Sequence, residues 1–100
     1  AVQDMQARTL AEARAEAERL WLATEAALAQ QSDLLDASEL AELQTAVQGL
    51  KTLAAGDDAT AITAAADALN HASETFAARR MDAGIRQAFT GKTLTDFEEH

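Results

Sequence analysis

The sequence predicts an all-α protein, an antiparallel three-helix bundle with a long N-terminal helix that projects from it. The chain has 100 residues with no Pro and only four Gly, so residues that interrupt helices are scarce. Alanine supplies 26 of the 48 apolar residues, and alanine has the highest helix propensity. The larger apolar residues recur at spacings of three, four and seven, which place them on one face of a helix. Short connections between such helices favour antiparallel packing.

The first helix is predicted over residues 2–33, and its two halves differ in composition. Over residues 9–19 alanine alternates with Glu and Arg, so this stretch has little apolar surface to bury. Larger apolar residues return at Leu20, and Trp21 and Leu28 are spaced by seven. We therefore expect the N-terminal half to project from the domain and the second half to join the core. The projecting arm has a weak apolar stripe of three residues: Val2, Met5 and Leu10.

The second helix is predicted over residues 37–55. Asp36 precedes it and Glu39 follows three residues later, which is the spacing of a capping box. Lys51 lies near its C-terminal end, where a cation complements the helix dipole. Gly56 is predicted to end the helix in the left-handed conformation that glycine adopts readily.

The third helix is predicted over residues 58–90, with the acidic pair Asp57 and Asp58 as its N-terminal cap. Gly84 is the point in this helix where a bend is expected, because glycine costs about 1 kcal/mol relative to alanine. Gly91 is predicted to end the helix, and residues 92–100 are predicted to form a flexible tail. Residues 1–91 would thus form one domain.

The predicted core takes its side chains from all three helices. Burying each large apolar side chain contributes roughly 1.5–3 kcal/mol before the entropy cost is subtracted. The alanines on facing helices would allow the backbones to approach closely. The predicted core residues are Trp21, Leu28, Leu34, Leu35, Leu40, Leu43, Val47, Leu50, Leu53, Ile62, Leu69 and Phe76.

The formal charge of −9 is unevenly distributed and argues against nucleic-acid binding, because an acidic surface repels phosphates. Residues 36–75 carry seven acidic residues and one basic residue, whereas residues 76–100 carry four of each. The uncharged runs are far shorter than the roughly 20 apolar residues that cross a membrane. The absence of Cys fits a reducing compartment. Because the chain does not begin with Met, we expect it to be part of a longer protein.

No catalytic, metal or cofactor site is predicted, so this chain is not expected to be an enzyme. His71 has Asp67 and Glu74 nearby on a helix, but two carboxylates and one imidazole are a poor ligand set for zinc. Arg79 and Arg80 are predicted to be a solvated pair near a helix end, with an acidic partner as the alternative.

One segment near the C-terminus is specific enough to suggest a family. Residues 76–82 read Phe-Ala-Ala-Arg-Arg-Met-Asp, and Ile85 and Arg86 follow. The segment resembles the C-terminal end of the HscA branch of the seventy-kilodalton heat-shock (DnaK-like) chaperone family. Residues 6–8, 10–12, 16–19, 27–29, 54–58 and 61–62 match the same family in order and spacing.

The resemblance implies that the chain is the helical lid of a chaperone's substrate-binding domain. Such a lid covers the peptide-binding cleft of a β-sandwich subdomain and slows substrate exchange when it is closed. The family places ATP and its hydrolysis in a separate domain, and this branch acts in bacterial, cytoplasmic iron–sulfur cluster assembly. Its partners are the scaffold IscU and the J-type co-chaperone HscB. By position, Glu18 and the neighbouring Arg19 are the candidate lid-closure contacts.

The residues alone also support a different class of function. A stand-alone helical interaction module would use the Val2, Met5 and Leu10 stripe to bind a partner helix. The same stripe predicts possible self-association of the isolated chain.

Overall fold

The computed structural model describes residues 2–89, apart from the side chain of Val2, and every element in that range is helical. Helix α1 spans Val2–Gln31 and is followed by a short 3-10 turn at Ser32–Leu34. Helix α2 spans Ala37–Ala54, α3 spans Ala59–Ala72 and α4 spans Glu74–Ala88. The all-α class is confirmed, although the segment expected to form one third helix contains both α3 and α4. The predicted stop at Gly91 and the predicted tail at residues 92–100 lie outside the described residues.

The interruption between α3 and α4 occurs at Ser73, whereas the sequence placed the weak point at Gly84. Ser73 has φ −89° and ψ −2°, and its hydroxyl donates to the Asn70 carbonyl at 3.0 Å. A serine hydroxyl that bonds a carbonyl in the preceding turn competes with the helical ladder. Gly84 remains within the regular backbone of α4.

The start of α2 was predicted correctly, but the reason given for its end was wrong. The Asp36 carboxylate accepts from the Glu39 N–H at 2.7 Å, and the Glu39 carboxylate accepts from the Asp36 N–H at 3.0 Å. At the other end, Gly56 does not adopt the left-handed conformation, and no glycine among residues 2–89 has a positive φ. The Gly56 N–H instead donates to the Leu53 carbonyl at 3.0 Å, which tightens the last turn.

Half of the predicted large core residues are buried, and the core also contains several alanines. Leu50, Ile62 and Leu69 are the largest completely buried side chains, whereas Leu53 is 39% exposed. The expected residues that are buried are Leu43, Val47, Leu50, Ile62, Leu69 and Phe76. The expected residues that are only partly buried are Trp21, Leu28, Leu34, Leu35 and Leu40. The buried residues outside the list of predicted core residues are Ala17, Thr24, Ala27, Ala54 and Ala66.

The projecting part of α1 is shorter than the composition suggested. Ala17 is completely buried, and Leu10 and Ala13 pack against the core at partial burial. Residues 3–9 are all exposed. Alanine at these positions lets the backbone of α1 come close to its neighbours, so a stretch with little apolar surface still docks on the bundle.

Charged side chains connect helices that are distant in sequence. The Arg79 guanidinium donates to the Leu34 carbonyl at 2.9 Å and to the Glu39 carboxylate at 2.6 Å. Arg80 donates to the Gln31 side chain at 2.7 Å. The two arginines are half-buried and therefore are not the solvated pair that the sequence suggested. They fasten α4 to the end of α1 and the start of α2.

The ion pair between Glu39 and Arg79 makes stability depend on pH. The Arg79 hydrogen bond and then the Asp36 N–H hold the pKa of Glu39 below its ordinary value of 4.5. A depressed carboxylate pKa stabilises the fold above the unfolded-state pKa, and this contribution is lost as the pH falls through the folded-state pKa. We expect Glu39→Gln to be less stable than the wild type at neutral pH, with the difference vanishing in acid.

Urea unfolding followed by circular dichroism, from neutral to acidic pH, measures the difference in the free energy of unfolding between wild type and Glu39→Gln. The exposed Glu42→Gln change on the same helix is the matched control. A stability difference between wild type and Glu39→Gln that does not change with pH would contradict the assignment.

Candidate functional site

The two candidate closure residues lie on the outer face of α1. Glu18 and Arg19 are both exposed, and the Arg19 guanidinium forms an ion pair with Glu16 at 3.1 Å. Leu22 lies one turn after Glu18 and is 53% exposed. Glu18, Arg19 and Leu22 are exposed, whereas Ala17 on the same helix is completely buried, so these three side chains are available to a partner.

The predicted apolar stripe of Val2, Met5 and Leu10 does not lie in one environment in the structure. Met5 is 68% exposed, whereas Leu10 is half-buried and packs against the core. The side chain of Val2 lies outside the described residues. Met5 and Leu10 nevertheless border the same shallow groove between α1 and the connection from α2 to α3. The other residues that line this groove are Gln3, Gln6, Ala7, Thr9, Asp57, Asp58, Ala59 and Thr60.

Arg14 anchors α1 to the end of α2, and sequence reasoning missed this role. Its Nε donates to the Ala54 carbonyl at 3.2 Å, and its Nη2 donates to the Gly56 carbonyl. The last carbonyls of a helix have no partner within the helix and carry partial negative charge, so a guanidinium both pairs with and stabilises them. The available signals were a basic residue, Arg14, in the alanine-rich stretch and a predicted helix C-terminus near residue 55. An antiparallel arrangement of the two helices could bring them together.

The Arg14 contacts separate a section of α1 that is held against the bundle from an exposed section that precedes it. Arg14 precedes Glu18 by one turn, so Glu18 and Arg19 lie on a section of α1 that is held against the bundle. Met5 lies on the short section beyond the anchor, where residues 3–9 are exposed. The arrangement offers a rigid helical surface to a neighbouring protein surface.

The described residues do not suggest metal chemistry. No group of three His, Asp or Glu side chains suited to a metal ion occurs within residues 2–89. His71 lies exposed near the end of α3, and its Nδ1 is 3.5 Å from a carboxylate oxygen of Glu74 at the start of α4. Asp58 acts as a cap, because its carboxylate accepts from the Ala61 N–H at 3.1 Å. None of the helices in this range has the length and apolar character needed to cross a bilayer.

Comparison with known proteins identifies the family. The family model described as Hsp70 protein matches residues 1–82. The chain is 53% identical over 93 residues to a chaperone protein HscA homolog from Burkholderia multivorans, and 54% identical over 93 residues to homologs of the same name from Burkholderia thailandensis and Burkholderia pseudomallei. These alignments cover 93% of this chain, which spans about 15% of the length of each curated relative. The chain therefore belongs to the Hsp70 protein family, and these relatives within it are HscA-type chaperone proteins.

Proposed function

We propose that this chain is the helical lid of an HscA-type chaperone and slows the release of bound peptide when it is closed. Membership in the Hsp70 family supports the chaperone part of the proposal. The observation that supports the lid is α1 itself, which continues past the bundle and presents Glu18 and Arg19 outward above an anchor at Arg14. Closure would bring this outer face and the exposed Met5 segment against a peptide-binding subdomain.

The proposal assigns the remaining steps to other parts of a longer protein. A β-sandwich subdomain would bind the peptide, and a separate domain would bind and hydrolyse ATP, so we expect this chain to have no ATPase activity. The lid would open as a rigid body about the start of α1, with the bundle unchanged. In the HscA branch the substrate would be the scaffold IscU, and HscB would be the J-type co-chaperone. The whole protein would act in cytoplasmic iron–sulfur cluster assembly.

A chimera tests the lid. The matching segment of the Burkholderia multivorans HscA homolog is replaced by this chain, and in a second protein it is deleted. We expect the chimera to release a fluorescent IscU peptide as slowly as the unaltered relative, and the deletion to release it at least about tenfold faster, a change of about 1.4 kcal/mol. Fluorescence anisotropy after addition of unlabelled peptide measures the rates. Equal release rates with and without the segment would contradict the lid.

A second pair of chimeras tests the closure residue. Glu18→Gln removes the charge from the outer face of α1 and is expected to accelerate peptide release. Glu12→Gln removes the charge from another exposed position on the same helix and is expected to leave release unchanged. If both changes have the same effect, general charge rather than a specific contact at Glu18 governs closure.

A further inference from the structure

The outer face of α4 is apolar and is not covered by the bundle. Met81, Ile85 and Phe89 are 70%, 50% and 60% exposed, and their spacing of four places them on one side of the helix. The opposite side contains the buried Phe76 and the arginines that fasten α4 to the rest of the chain. We call Met81, Ile85 and Phe89 the α4 outer face. Contiguous exposed apolar residues of this kind usually mark an interaction surface.

We propose that the α4 outer face binds the same face of a second copy of this chain, in an antiparallel pair centred on Ile85. In this arrangement Ile85 lies opposite Ile85 of the partner subunit, and Met81 lies opposite Phe89 of the partner subunit. The three apolar residues are evenly spaced about the centre, so one face complements itself, as a two-fold interface requires. A thioether beside an aromatic ring is a favourable contact.

The flanking charges also complement themselves. Asp82 and Arg86 border the α4 outer face and pair with each other at 2.8 Å on the exposed side of the helix. A two-fold axis perpendicular to the antiparallel helices keeps both residues on the same side of the interface. It therefore places Asp82 within about two residues of Arg86 of the partner subunit along the helix, or about 3 Å of rise. Two such pairs form, one on each side of the axis, and they outnumber the single like-charge approach, in which Arg86 lies within about two residues of Arg86 of the partner subunit.

The distribution of charge favours this end of the molecule for contact between copies. Residues 1–75 carry thirteen acidic and four basic residues, so most of the surface repels a second copy. Residues 81–89 carry one acidic and one basic residue and are neutral overall. The α4 outer face is thus an apolar surface in the least repulsive part of the chain.

The size of the face sets the expected strength. Three large side chains from each copy bury far less than the roughly 1,200–2,000 Å² of a standard stable interface. The dimer is therefore expected to be weak and in rapid exchange, with a dissociation constant between about 10 µM and about 1 mM. The inference is independent of the proposed lid function, because it rests on α4 rather than on α1.

Sedimentation velocity of the 100-residue chain, from about 10 µM to about 1 mM, tests the dimer. The wild type is expected to shift from monomer to dimer across this range, and Ile85→Glu is expected to remain monomeric. Leu22→Glu is the matched control because Leu22 is similarly exposed, at 53%, on another helix, and it should dimerise as the wild type does. Circular dichroism checks that each variant is helical. A wild type that stays monomeric, or an Ile85→Glu variant that dimerises, would overturn the proposal.

Reversing the charges of Asp82 and Arg86 tests the antiparallel geometry. A change in helix stability alone could not make two variants that associate weakly by themselves associate with each other. Asp82→Arg and Arg86→Asp are each expected to weaken self-association at least about tenfold, because like charges meet across the axis. An equimolar mixture of the two variants is expected to form a mixed dimer, since each then offers the opposite charge. Absence of the mixed dimer would overturn the antiparallel arrangement.

Two further variants test whether another part of the chain makes the dimer contact or covers the α4 outer face. Met5→Glu alters the exposed start of α1 and is expected to leave the dimer intact; loss of the dimer would show that α1 makes the contact. A chain that ends at Phe89 is expected to dimerise as the full chain does. If only this shortened chain dimerises, residues 90–100 cover the α4 outer face and the proposal is wrong.

Discussion

Replacing Leu50 with alanine is expected to lower the free energy of unfolding by about 2–5 kcal/mol. Leu50 is completely buried near the C-terminal end of α2, a helix that packs against both α1 and α3. The substitution removes apolar contacts and leaves a cavity that close-packed neighbours fill only in part. A small helical domain has a total stability of about 5–15 kcal/mol, so this loss removes a large share of it.

Leu53→Ala is the matched control for Leu50→Ala. Leu53 lies one turn later on the same helix and is 39% exposed, although the sequence placed both residues in the core. We expect Leu53→Ala to cost less than about 1 kcal/mol, because much of its side chain remains in contact with water. Urea unfolding followed by circular dichroism measures both values. Equal losses for the two variants would contradict the packing of α2.

Enlarging Ala17 to leucine is expected to destabilise the protein by about 1–3 kcal/mol. Ala17 is completely buried in the section of α1 that follows the Arg14 anchor and belongs to the core cluster, so a larger side chain there must displace close-packed neighbours. By helix propensity alone the change would be almost neutral, since alanine and leucine are both strong helix formers. The expected loss therefore reports tertiary packing.

Ala15→Leu provides the comparison for Ala17→Leu. Ala15 is exposed on the same helix, so the same chemical change is expected to alter stability by less than about 0.5 kcal/mol. Thermal or urea unfolding of the two variants measures the difference. If the two substitutions have equal effects, the alanine-rich part of α1 is not docked on the bundle in solution.

The docked position of α1 bears directly on the proposed lid. Arg14 holds α1 against the end of α2, and Ala17 is buried in the core, so Glu18 and Arg19 lie on a supported part of the helix. The short segment at residues 3–9 extends past this support. Motion of such a lid would thus be expected to take place near the start of α1, while the section that carries Glu18 moves together with the bundle.

The amino-acid sequence by itself determined the features that depend on neighbouring residues. The capping box at Asp36 and Glu39 was predictable because its two hydrogen bonds join residues three apart. The all-α class followed from helix propensity and apolar spacing, both of which act within a few turns. The likeness to the HscA branch likewise depended on contiguous segments, chiefly residues 76–82, and the Hsp70 family match together with the HscA-type relatives confirmed it.

Only the tertiary structure decided which residues in these helices are buried and which connect distant elements. Ala15 and Ala17 are equivalent in propensity, yet one is exposed and the other is completely buried. Arg14 contacts carbonyls some 40 residues away, and Arg79 contacts Leu34 across 45 residues. Such contacts depend on the crossing of helices in space, which local spacing does not encode. In a chain with 26 alanines the backbone itself forms much of the packing surface, so side-chain size gave little indication of where α1 docks.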